Sequence, residues 1–354
     1  YAALNEYFKA ATPPDVLARL RAYYVFNLSR NMMLSQETLR ISKTLADEGI
    51  TSIVYKGPLQ ASMIYRNMAL REIADIDTIV HPDNLTRAKN ALLAEDYNIA
   101  PTEEPMTDEE LLAHPNKYAL GLIRRDGRVS LEIHWRVMPA HSWYTYTTER
   151  LWDFVRPETI GETKVNFLQR EFIFVQLCNH NEKHNWRGIR YLADVAGMIQ
   201  TQRDINWKLV VQMASSFGKT NALLITCNLC RHLLGVELPE PIAEKLRGAG
   251  LVRARCAAIR ANLFSTDVIS FPSYRRWRFH CRQLDGDTDC SSWSDPFAYL
   301  ASVLWPEASD KRRWFPLPPR LHFIYILPRL LRYLKWNYIT SSPARNKPNS
   351  EART

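Results

Sequence analysis

The sequence predicts an α+β fold: a small mixed sheet with flanking helices, followed by a C-terminal helical domain. Strand-like, β-branched runs fall at 50–55, 76–80, 118–125 and 129–137. From about residue 165 strand signals fade, and apolar residues recur at three- and four-residue spacing to about residue 340. The expected organisation is an N-terminal helical segment (1–50) packed on a mixed-sheet domain (51–164), then a helical domain (165–340) and a disordered polar tail (341–354).

Each element has a local cause. Pro13-Pro14-Asp15 opens a helix over 13–48, and Gly49 stops it. The strand at 50–55 ends at Lys56-Gly57-Pro58, after which a helix reaches Tyr65. Ile76-Asp77-Thr78-Ile79-Val80 is a second strand, broken by His81-Pro82-Asp83, with Asp83 or Asn84 as N-cap of a helix to Glu95. Residues 101–116, acidic and Pro-containing, read as a surface excursion. Asp126-Gly127 between the last two strands signals a hairpin. Helical segments follow at 168–184, 186–202, 206–217, 219–235 and 240–262, while the Trp-, Pro- and Ser-rich stretch 264–318 gives no clear pattern.

Of the 354 residues, 46% are hydrophobic and 23% charged, enough for a sizeable core. Lys and Arg number 46 against 37 Asp and Glu, a net charge of +9, which favours anionic partners: nucleotides, phosphates, nucleic acid or an acidic membrane surface. No apolar run is long enough to span a bilayer, and the most apolar late stretch, 321–336, carries Arg329, Arg332 and Lys335. No signal peptide is visible, and Cys178, Cys227, Cys230, Cys256, Cys281 and Cys290 read as reduced thiols, so the expected compartment is the cytoplasm.

The chemistry centres on Asp75-Ile76-Asp77. Residues two apart on a strand share a face, so the two carboxylates project together and repel unless a cation lies between them. Glu132 and His134 likewise share a face, opposite Leu131, Ile133 and Trp135. If the two strands are neighbours, Asp75, Asp77 and Glu132 converge as ligands for two Mg²⁺ ions suited to phosphoryl chemistry. Gly57 would let backbone approach a phosphate, the start of the next helix would favour an anion, and Lys56 or Arg71 would add positive charge.

Residues 53–97 (IVYKGPLQASMIYRNMALREIADIDTIVHPDNLTRAKNALLAEDY) resemble the uncharacterised bacterial nucleotidyltransferase family of the DNA polymerase β-like superfamily. Lys56, Gly57, Tyr65, Arg71, Asp75 and Asp77 match that family's pattern, as do LEIHW at 131–135, with Glu132 and His134, and CNHNEKHNWRGIRYLADVAGMI at 178–199. The superfamily's usual Gly-Ser stands here as Lys56-Gly57-Pro58. The resemblance covers about residues 15–240 and implies transfer of a nucleoside monophosphate from an NTP, ATP by default, to an unidentified peptide, sugar or small-molecule acceptor with release of pyrophosphate. It also implies Mg²⁺, with Mn²⁺ as a substitute, and a site-lining role for His180, His184, Arg190 and Asp194. The expected nucleotide- and phosphate-binding set is Lys56, Gly57, Arg71, His134, His180, Lys183, His184, Arg190 and Asp194.

Other motifs weigh less. His180 and His184 share a helix face without the Glu of a zinc-protease motif, and Asp194 could pair with Arg190 at helical spacing. Cys227-x-x-Cys230 lies in a helical run and reads as core packing. Tyr274-Arg275-Arg276-Trp277-Arg278 could touch nucleic acid or be a surface helix, and 320–336 an amphipathic helix. Two alternatives follow: an RNA acceptor such as a tRNA end, and a non-catalytic nucleotide-binding or basic interaction module.

Overall fold

A computed structural model describes residues 9–263 apart from 115, 138–147, 161, 185 and 187, together with 321, 324–327 and 331. Contacts divide the chain into one compact unit over 1–259 and another over 260–354. The segment 274–278, most of 321–336, the tail 341–354, Arg187, Cys281 and Cys290 lie outside the described residues.

Pro14 at the first helical position and Asp15 in the first turn open the 34-residue helix α1 (Pro14–Asp47). Its buried residues, Asn27, Asn31, Leu34, Thr38, Ile41 and Leu45, recur every three or four positions and form one face. Then come β1 (Ser52–Val54), α2 (Pro58–Tyr65), β2 (Asp75–Val80), α3 (Leu85–Ala94), β3 (Tyr97–Ile99), α4 (Asp108–Ala113), β4 (Ala119–Arg124), β5 (Ser130–His134), α5 (Thr148–Leu151), β6 (Val155–Ile160) and β7 (Thr163–Leu168). Six helices complete the described chain: α6 (Arg170–Lys183), α7 (Ile189–Thr201), α8 (Trp207–Ser216), α9 (Thr220–Leu234), α10 (Glu240–Gly248) and α11 (Gly250–Leu263).

The seven strands form one mixed sheet in the order β3-β4-β5-β2-β1-β7-β6. β2 pairs antiparallel with β1 and parallel with β5, and β7 pairs parallel with β1. One face of the sheet packs on α1 and α3 through Ile76, Val80, Leu131, Ile133 and Trp135 against Leu34, Leu45, Leu85 and Leu92. The other carries Ile53 and Ile79 into a core built from Phe172 and Phe174 of α6, Leu192 and Val195 of α7, and Leu223 of α9. The α+β architecture thus has the mixed sheet and flanking helices that the sequence pattern predicts.

Several local expectations need correction. The β6–β7 hairpin lies where no strand was expected; β6 is largely exposed at the sheet edge, so it shows no clear apolar alternation. The acidic excursion contains α4, whose start is a capping box: Thr107 accepts from Glu110 N–H while the Glu110 side chain accepts from Thr107 N–H. Asn84 stands at the N-cap of α3, but its side chain makes no capping hydrogen bond. Pro82–Asn84 is a 3₁₀ turn whose start is capped by the His81 side chain. The helix expected over 240–262 is two helices, broken at Ala249.

Candidate active site

Period-two alternation in β2 and β5 sets the centre of the site. Asp77 stands opposite Glu132 in the parallel pair, and Asp75 opposite Ser130, so the polar residues of both strands share one face. His134, two residues beyond Glu132, turns back between them. Its Nε2 is 3.0 Å from Asp77 Oδ1 and 3.1 Å from Glu132 Oε2. Both neighbours are acceptors, so Nε2 carries the proton and donates. Lys56, just past the end of β1, reaches Asp77 Oδ2 at 3.1 Å.

Burial and the neighbouring charges oppose one another at most of these groups. Burial would raise the Asp77 carboxyl, but the Lys56 ammonium and His134 override it and hold that carboxyl well below the usual range. Burial would likewise lower Lys56 and His134, yet the Asp77 charge pushes both up and keeps them cationic more readily. Asp75 is pushed the other way, raised first by burial and then by the charges of Asp77 and Glu132. The Asp75 carboxylate has no ion pair or hydrogen bond among the described residues, although its backbone belongs to the β2–β5 ladder. The ligand atoms of Asp77, Glu132 and His134 lie within 4.8 Å of one another and could hold a metal ion. Asp75 shares their face but is not one of that close group, whereas the sequence reading grouped Asp75 with Asp77 and Glu132.

Above this centre is a cleft of about 650 Å³. Gly57 forms one edge. Its φ of +94° is accessible to glycine and strained for other residues, and it places Pro58 at the first turn of α2. The opposite wall is α6 and α7. Their approach to α2 depends on Gly197, where a Cβ would come within 2.8 Å of Ile64.

His180 and His184 do share a face, with ring centroids 4.6 Å apart, and Tyr191 packs against both at 4.8 and 4.7 Å. Burial, followed by the charge of Lys56, depresses His180 to about 3, and His184 is lowered for the same kinds of reason. Lys183 lies 3.3 Å from Tyr118 Oη. Arg190 does not pair with Asp194. It folds over the Tyr191 ring and donates to that hydroxyl at 2.7 Å, while Asp194 accepts from Tyr65 and Arg71.

Among the cleft residues that the sequence did not single out are Tyr55, Tyr118, Gln176 and Asn179. Gln176 donates to the Tyr55 hydroxyl, and the Tyr55 and Tyr118 rings flank His134 at 5.7 and 5.8 Å. A signal was present for two of them. Gln176, Asn179, His180 and Lys183 fall at i, i+3, i+4 and i+7, a polar stripe along one side of the helix. Cys227 and Cys230 are buried in α9 as free thiols in the core. Among the described residues, no helix is long and apolar enough to cross a membrane.

A mixed sheet presenting an aspartate and a glutamate in register beneath a cleft that also holds Lys56, Arg71, Lys183 and Arg190 is an arrangement suited to phosphoryl-group chemistry. The chain belongs to the family of uncharacterised nucleotidyltransferases, whose family model matches residues 1–235. Membership supports a transferase activity with a nucleotide substrate. Among solved structures, the chain is similar to an antigenic nucleotidyltransferase-like protein from Paracoccidioides brasiliensis. The two are 16% identical, the match covers 54% of this chain and 91% of that one, and the TM-score is 0.33. No curated protein matches the chain.

Proposed function

We propose that the protein transfers a nucleoside monophosphate from an NTP to an acceptor hydroxyl, releasing pyrophosphate. The observation that carries this reading is the in-register pair Asp77 and Glu132 beneath the cleft, with Asp75 on the same face. The donor set fits Mg²⁺. Hard carboxylate oxygens predominate, and Asp75 has no ion-pair partner of its own among the described residues; burial first, and then the charges of Asp77 and Glu132, raise its pKa, and a divalent cation there would offset both. Asp75, Asp77 and Glu132 would hold two such ions, Mn²⁺ being an alternative, and when bound they would acidify the acceptor hydroxyl and neutralise the triphosphate.

The chain's own groups do the rest. Lys56 and the backbone at Gly57, at the start of α2, steady the phosphates. His134 fixes the orientation of both Asp77 and Glu132 through one shared proton. The acceptor oxygen forms its bond to the α-phosphorus in line as the bond to the bridging oxygen breaks. The hydroxyl proton leaves toward solvent on the side where the Glu132 side chain is 43% exposed. The α6–α7 wall, with Lys183 and Arg190, faces the acceptor.

The test is to supply each NTP, labelled at the α-phosphorus, with Mg²⁺ and fractionated cell extract, and to follow label transfer together with pyrophosphate. Stoichiometric transfer from one NTP, absent in Asp77→Asn, is expected. Equal transfer by that variant contradicts the reading.

A further inference from the structure

We propose that Arg71 is a clamp for the terminal phosphates of the nucleoside triphosphate, aimed by Asp194 and Tyr65, which act as positioning residues and touch no substrate. The proposal rests on the nucleotidyl-transfer reading and names the part of the site that grips the leaving group.

Arg71 is held from two directions. Its carbonyl accepts hydrogen bonds from the Nδ2 groups of Asn27 and Asn31 on α1, at 3.0 and 2.8 Å, and both asparagines are buried. Its Nε lies 3.1 Å from each oxygen of Asp194 on α7. Asp194 Oδ1 also accepts from Tyr65 at 2.7 Å, which fixes the carboxylate. The Asp194 side chain is 5% exposed and the Arg71 side chain 16%, so the aspartate is enclosed while the guanidinium still reaches the cleft.

The pairing leaves a specific remainder. An arginine serving only to tie two segments together typically gives a carboxylate two parallel N–H groups from its fork. Arg71 uses Nε alone, and its terminal amino groups have no hydrogen-bond partner among the described residues. Of the cleft's other cations, Lys56 and Lys183 carry no planar fork, and Arg190 turns one of its terminal amino groups onto the Tyr191 hydroxyl. What remains is a planar fork, rigidly held, whose geometry matches two phosphate oxygens and which lysine cannot reproduce.

The experiment is calorimetric binding of inorganic tripolyphosphate, ATP and AMP in Mg²⁺ to the wild type, Arg71→Lys, Asp194→Asn and Tyr65→Phe, each shown to be folded by circular dichroism. Arg71→Lys is expected to weaken tripolyphosphate and ATP by roughly 10–100-fold, as for loss of hydrogen bonds to a charged group, and to leave AMP unchanged. Asp194→Asn shifts binding in the same direction, and Tyr65→Phe does so by less. Tripolyphosphate affinity unchanged in Arg71→Lys overturns the clamp, as does an equal loss of AMP. A clamp signature in a protein that transfers no nucleotide supports the clamp and removes the transfer reading alone. Intact transfer with undiminished tripolyphosphate binding in Arg71→Lys removes the clamp alone.

Discussion

The two faces of the β2–β5 pair are made from alternate residues of the same strands, yet they do opposite work. Ile76, Leu131 and Ile133 point under α1 and α3, where each is at most 1% exposed and gains only from leaving water. Asp75, Asp77, Glu132 and His134 point into the cleft, where burial raises the energy of every charge until a partner offsets it. On this pair of strands one face is mostly apolar, while the other sets the charged site beside Ile79, which is buried in the second core. A substitution should reveal its face by which quantity it changes.

The sharpest contrast pairs one residue from each face. Asp77→Asn should lower turnover by about 10²–10³ or more, the scale of losing a principal charge-stabilising group, while the chain still unfolds cooperatively. Ile133→Ala should leave turnover per folded molecule unchanged and cost about 2–5 kcal/mol of stability, read by urea unfolding. If Ile133→Ala lowered turnover as far as Asp77→Asn, the division between the faces would fail.

The next effect concerns the cleft wall. Gly197→Ala drives a methyl group to within 2.8 Å of Ile64 Cγ2 and 3.3 Å of Tyr65 Cε1. Relief of that overlap should cost about 1–3 kcal/mol and disturb Tyr65, raising KM for the nucleotide more than it lowers kcat. A neutral effect on both would show that α2 and α7 have slack.

Per pH unit, the smallest effect is in acid sensitivity. His180 titrates near 3 in the folded protein and near its ordinary value of 6.5 when unfolded. The unfolded chain therefore binds the extra proton first, so stability is lost as pH falls from about 6.5 toward about 3, by at most about 1.4 kcal/mol per pH unit. His180→Gln should flatten that part of the curve. An unchanged slope would assign the acid sensitivity to other groups.

Legibility in the sequence followed the same division. Strands with one apolar and one charged face announce themselves, which is why Asp77 and Glu132 could be read from alternation before their register was known. The β6–β7 hairpin lacked that signal because β6 is exposed at the sheet edge and its pairing with β7 is a tertiary event. The pairing of Asp194 was similarly hidden. Helical spacing offers Arg190 as its partner, whereas the fold brings Arg71 from 123 residues away. Tyr55 and Tyr118 owe their place beside His134 to the meeting of β1, the entry to β4, and α6, which no local pattern encodes.

The most direct test of the central claim, that the charged face of β2 and β5 binds a metal-bound nucleotide, is thermal unfolding with each NTP, with and without Mg²⁺, in wild type and Asp77→Asn. A nucleotide at 100 times its Kd should add about 2.7 kcal/mol of stability. The account predicts such a gain for at least one NTP, dependent on Mg²⁺ and lost in Asp77→Asn. The same gain in the variant, or a gain indifferent to Mg²⁺, would contradict it.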